Sequence, residues 1–167
     1  KIAVTKSFER QGRHWFIPAV YLCPKGVVAD IFIKSETGKV KGFFDKWAYT
    51  GYNEGSLSEE EIKAVERENP LDISFRATLH FNGRKIGRNF GTAINFIPQS
   101  LLPDGGKNSA EAVRVVKHYG LDDSCVWTMH RVSFPVTITK KTNIKTLSVE
   151  FADEYESVYG DKFTCEK

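Results

Sequence analysis

Nine residues constrain this chain more than any others: from Ile73 to Phe81, apolar side chains alternate without error against polar ones. Ile73, Phe75, Ala77, Leu79 and Phe81 form one set, with Ser74, Arg76, Thr78 and His80 between them. A period of two places alternate side chains on opposite faces of extended chain, so this stretch is predicted to be a strand with one buried face. Asn82-Gly83 follows at once, and that dipeptide accepts positive φ at both centres of a type I′ turn. A hairpin is therefore expected, returning over Arg84 to Phe90 and passing into Thr92 to Ile97. Gly87 and Gly91 are read as bulges or points of close backbone approach.

The same reasoning extends in both directions. Ile2 to Phe8, Arg13 to Cys23 and Val27 to Ile33 read as a three-stranded meander broken at Gln11-Gly12 and Pro24-Lys25-Gly26. Towards the other end, Cys125 to Phe134, Val136 to Thr139 and Ile144 to Phe151 read as strands, and from Ala152 onward the pattern dissolves.

Three segments change period. Val40, Phe43, Phe44 and Trp47 stand at i, i+3, i+4 and i+7, one apolar stripe of a helix near 38–48, although Gly42 costs it roughly 1 kcal/mol relative to alanine. Ser58 and Glu61 have capping-box spacing, and Pro70 ends that helix, which runs near 58–69. A third, near 109–119, carries Ala112, Val113, Val116 and Tyr119 as its stripe. Asn108 is its expected cap and Gly120 its left-handed terminus.

Strand thus outweighs helix, and connections of hairpin length make the sheet mostly antiparallel. The predicted class is a β-rich α+β fold, either a sandwich with helical decorations or a bent sheet with helices on one face. All 167 residues are expected in a single domain. The chain starts at Lys1 rather than Met, so it is expected to be a fragment of a longer protein or a processed form.

Composition excludes more than it selects. A formal charge of +3 is far below that of a domain which is wholly an electrostatic footprint for nucleic acid. No apolar run approaches the ~18 residues of a membrane span. Cys23, Cys125 and Cys165 are odd in number and lack a CxxC pair, so neither a disulfide framework nor a thiolate zinc site is expected. A reducing, cytoplasmic setting fits these thiols best, and no cofactor or metal is implied.

The stretches WFIPAVYLCPKGVVADIFI (15–33), FFDKW (43–47), LSEEE (57–61), HYGLDD (118–123) and VSFPVTITKKTNIKTLSV (132–149) resemble those of a group of uncharacterised bacterial hypothetical proteins. The resemblance implies relatives that extend beyond this end point. It implies no activity, ligand or catalytic residue.

Three functional readings compete. The first is a non-enzymatic interaction module of a larger protein, binding a protein partner through a sheet face or through the loop carrying Tyr49 and Tyr52, whose rings have polar tips. The second is single-stranded nucleic-acid binding by the hairpin bearing Arg76, Arg84, Lys85 and Arg88, with Phe81 and Phe90 available for stacking. A charged tip that resists edge pairing explains the same residues more simply. The third is an enzyme assembled from His80, His130, Asp30 and a cysteine. Its weakness is the lack of short-spaced pairs among His14, His80, His118 and His130 and of any GxSxG elbow. The loop from Pro103 to Asn108 has the outline of an anion cradle but not its spacing. The interaction module is the favoured reading.

Overall fold

The computed structural model describes residues 1–48, 57–102 and 106–153. Among them, eight strands form two antiparallel sheets, and three α-helices complete an α+β fold. The first sheet has the order β1-β2-β3-β7-β6, from β1 (Ile2–Arg10), β2 (Arg13–Cys23), β3 (Gly26–Ser35), β7 (Val126–Pro135) and β6 (Phe90–Phe96). The second has the order β5-β4-β8, from β5 (Arg84–Ile86), β4 (Arg76–Phe81) and β8 (Leu147–Ala152). The helices are α1 (Thr37–Ala48), α2 (Glu59–Glu68) and α3 (Ala110–Tyr119).

The central strand β3 is apolar almost throughout because both of its faces are covered. Val27, Ala29, Ile31 and Ile33 point towards Ala77, Leu79, Phe81 and Ile86 of the small sheet, making a sandwich interior with Trp15, Val132 and Phe134. Phe32 points the other way, into a second core with Phe96, Ala112, Val116, Trp127 and Met129, where α3 lies on the outer face of the large sheet. Burying one such aliphatic side chain completely is worth about 1.5–3 kcal/mol, so β3 alone accounts for much of the driving force. Phe8, Trp15, Phe75 and Phe151 close one end of the interior with centroids 5.0–6.0 Å apart.

Strand β2 changes which alternate residues face the sandwich interior where its register shifts between Phe16 and Ala19. Trp15 and Ile17 face the sandwich interior before the shift, and Val20 faces it after. Pro18, which has no N–H to give a ladder, sits within this irregularity.

The hairpin at Asn82-Gly83 forms with φ of 49° and 80°, as an I′ turn requires. Asn82 also accepts the Lys145 and Thr146 amides (2.7 and 3.1 Å), setting the start of β8. The return strand differs from expectation. It leaves the small sheet at Ile86, crosses over Gly87-Arg88-Asn89, and joins the large sheet as β6 against β7. Where β5 stops, the Asn89 side chain donates to the Ala77 carbonyl (2.8 Å) and so satisfies a group the shortened strand leaves open. Residues 73–75 lead into β4 without pairing, and 136–139 form no strand, although the Val136 and Ile138 amides donate to Lys25 and Pro24 carbonyls.

The Ser58–Glu61 capping box is present, with Ser58 N–H donating to Glu61 at 2.8 Å. At α3 the cap is Ser109 rather than Asn108. Asn108 instead accepts from the Ile97 amide (2.9 Å) and donates to its carbonyl (2.7 Å), tying the helix start to the end of β6. Gly120, at φ 62°, ends α3 and leaves Tyr119 over the sheet.

Two glycines test this packing in opposite directions. A Cβ on Gly26 would lie 2.5 Å from the Phe134 carbonyl oxygen, inside the β3–β7 ladder, whereas one on Gly42 in α1 meets nothing within 4 Å. Gly26→Ala is expected to lower unfolding free energy in urea by about 1–3 kcal/mol, and Gly42→Ala to raise it by up to about 1 kcal/mol.

Candidate functional site

A single carboxylate interrupts the apolar run of β3. Asp30 is 3% exposed, and a charge so placed needs partners to offset its lost hydration. Register supplies the first: Asp30 stands opposite Arg131 on β7, whose Nε and Nη2 donate to the two carboxylate oxygens at 2.7 and 2.9 Å. The second comes from α3, where the Tyr119 hydroxyl donates to Asp30 Oδ2 at 2.6 Å and lies 2.6 Å from that of Tyr21 on β2. Burial pushes the Asp30 carboxyl up, but hydrogen bonds from Arg131 and Tyr119 outweigh it and hold it below the ordinary range. Burial, and then the bond to Asp30, raise the Tyr119 phenol. Both carboxylate oxygens accept hydrogen bonds within the fold, and the network fastens α3 to three strands. The cleft beside it, lined by Asp30, Thr92, Ile94, Glu111 and Arg131, holds about 50 Å³, space on the order of a few water molecules.

The side chains of the proposed enzyme residues are not brought together, although Asp30 and His130 both border the small cleft. Opposed residues of an antiparallel pair share a face; Asp30 faces Arg131 while His130 faces Ile31, so Asp30 and His130 lie on opposite faces of the large sheet. His80 is in the other sheet, on its outer face, bound to Glu150 at 2.8 Å. His14 pairs with Glu9. The thiol of Cys125 donates to Asp122 (3.1 Å), whose carboxyl is lowered to about 2 by hydrogen bonds from Ser124 and Cys125. Among the described residues, no three His, Cys, Asp or Glu side chains are grouped as a metal site, and no helix is long and apolar enough to cross a membrane.

The basic hairpin is divided as well. His80 and Lys85 share the outer face with Glu150, which lies 3.9 Å from Lys85, while Arg84, opposite Phe81, belongs to the inner side. Arg88 has left the small sheet and lies over the Phe90 ring at 5.3 Å. Arg76 projects on the His80 side of β4. These four cations form no continuous track. Tyr49 and Tyr52 lie outside the described residues.

Two features escaped the sequence reading. His130 lines a groove of about 280 Å³ with Phe75, Asn89, Gly91, Thr92 and Ala93, where the sandwich stays open between β6 and the residues leading into β4. Its ring meets Phe75 edge-on at 4.8 Å, and burial pushes its pKa down, against the opposing charge of Asp72. The other is β6 itself. It is an edge strand whose Phe90, Gly91, Thr92 and Ala93 are all exposed, Phe90 by 58%. Its signal was visible: FGTAINF has no charged residue.

Two pH dependences follow. Asp30 titrates lower when folded, so its contribution is complete above the unfolded value near 3.9 and disappears as pH falls through the native one. Asp30→Asn should cost about 2 kcal/mol at pH 7, less than a fully buried pair because Arg131 is half-exposed, and the gap to wild type should close in urea titrations below about pH 4. His130 is also depressed; its neutral form contributes fully above about pH 6.5 and the contribution is lost on acidification. His130→Phe should flatten the stability profile between about pH 5 and 7. Comparison with family models, with curated proteins and with solved structures finds no match to this chain.

Proposed function

We propose that this domain is a non-enzymatic interaction module that binds a protein partner by taking an extended strand along the free edge of β6. One observation carries the reading. Of the four sheet edges among the described residues, β6 alone has no charged residue. Natural edges are guarded by charge, shortness, proline or bulges, because unpaired N–H and C=O groups invite another chain. Strand β1 has Lys6, Glu9 and Arg10 and a register shift between Ala3 and Lys6, where Thr5 adopts φ 46°. Strand β5 is three residues long with two basic side chains, and β8 carries Glu150. Strand β6 has seven residues in unbroken register with β7, no proline and a half-exposed aromatic ring.

Strand addition draws its affinity from main-chain hydrogen bonds and its specificity from alternate side-chain sites. The groove beside Gly91, Thr92 and Ala93 supplies such sites, and its lining contains no Lys, Arg, Asp or Glu. An extended segment with no charge on the residues facing the groove therefore suits it.

A synthetic peptide copying residues 88–97 is the probe. Titrated into the isotopically labelled protein, it should shift amide resonances from Gly91 to Asn95 and leave β1 unchanged. Ala93→Lys, which places a charge on this edge, should weaken binding about tenfold or more, roughly 1.4 kcal/mol. Lys85→Ala should not. Absence of binding, or equal shifts along β1, would refute the edge as the recognition surface.

A further inference from the structure

We infer that the strand taken by this edge is β6 of a second copy, paired antiparallel about a two-fold axis at Thr92. This rests on the strand-taking reading above and names its partner. A symmetric interface requires one surface to complement itself, and the sequence FGTAINF can be tested for that register by register.

Alternation assigns the faces. Phe96 and Ile94 belong to the core under α3, so Phe90 and Thr92 point to that side, while Gly91, Ala93 and Asn95 point towards the groove. An axis at Ala93 would pair Phe90 with Phe96 of the other copy, but Phe96 is 8% exposed and already committed to the α3 core. An axis at Gly91 would set Phe90 against Thr92 and leave Ile94 without an apolar partner. An axis at Thr92 pairs Phe90 with Ile94 twice and Thr92 with itself. Aromatic–β-branched and Thr–Thr pairs are both favourable across strands. On the groove side it sets Gly91 against Ala93, two small residues that leave room beside His130.

Charge agrees with this register. Arg88 covers Phe90 on the α3 side. Glu111, exposed and in no ion pair among the described residues, borders the cleft with Thr92 and Ile94. When Phe90 of one copy meets Ile94 of the other, Arg88 is carried towards Glu111 across the axis, and the same contact recurs by symmetry. The product is one continuous ten-stranded sheet with both α3 helices on one face and both small sheets on the other.

Sedimentation equilibrium of the whole chain, combined with cysteine trapping, tests this. A concentration-dependent dimer is expected. Thr92→Lys should raise its dissociation constant at least about tenfold, Arg88→Glu should weaken it, and Arg88→Glu with Glu111→Arg should restore it. In a Cys23→Ser, Cys165→Ser background, Thr92→Cys should form a disulfide-linked dimer under mild oxidation. Directly opposed residues bring Cα atoms to about 4.5–5.5 Å, within the span of a disulfide. Ala93→Cys, displaced from the axis, should not. Trapping through Ala93→Cys instead would overturn the register. A chain that stays monomeric at about 100 μM while still binding the 88–97 peptide would overturn the second copy as partner and leave the strand-taking edge intact. Loss of both would overturn both.

Discussion

The double burial of β3 is the constraint from which the architecture follows. A strand whose side chains alternate between two dry faces must be central, and each face must find a cover of its own. The small sheet covers one and α3 the other. Ten unbroken pairs with β7 then fix which residues share each face, from Gly26 opposite Pro135 to Ser35 opposite Val126. That register separates Asp30 from His130, sends Phe32 to the helix side, and leaves β6 outside β7 as an edge among the described residues. A slip by one residue would exchange the two faces entirely.

Asp30 is the one buried charge in this strand, and its cost reveals its use. Replacing a buried ion pair with apolar residues is often neutral or stabilising, so the Asp30–Arg131 contact is weak as a source of stability. What it offers is geometry. The carboxylate accepts from β7 and α3 at once, and Tyr119 reaches on to Tyr21 of β2. An apolar face would tolerate α3 at several angles. A four-residue polar network tolerates one, and α3 in turn sets the position of Glu111 beside the β6 edge.

Much of this fold was legible because period, turn chemistry and capping are local. The Asn82-Gly83 turn, the Ser58–Glu61 box and the three helices all appear within two residues of where local rules put them, and the Ile73–Phe81 alternation becomes strand from Arg76. What was illegible was pairing. Residues 84–97 read as one return strand because nothing local says that Arg84–Ile86 and Phe90–Phe96 belong to different sheets; that is decided by which partner lies alongside. The same blindness affected the site. His80, His130 and Asp30 share residue type and strand context, but their faces and sheets depend on registers that no single strand encodes. Asp30 did announce its need for a partner, being charged within VVADIFI, yet only the β3–β7 ladder names Arg131.

Edges make the last step. A sandwich leaves four strand edges, and a chain that merely avoids aggregation would guard them all alike. Here charge appears on β1, β5 and β8 and is missing from β6, the longest regular edge. The small sheet does not continue the hairpin: β5 stops after three residues, and Asn89 satisfies the Ala77 carbonyl that a longer β5 would have taken. The crossover at Gly87-Arg88-Asn89 therefore does two things at once: it spends the hairpin's return on the large sheet, and it holds the sandwich open along β6. An uncharged edge beside a groove of about 280 Å³ is thus a consequence of how the hairpin divides, and removing the exposed edge would mean rebuilding the junction between the two sheets.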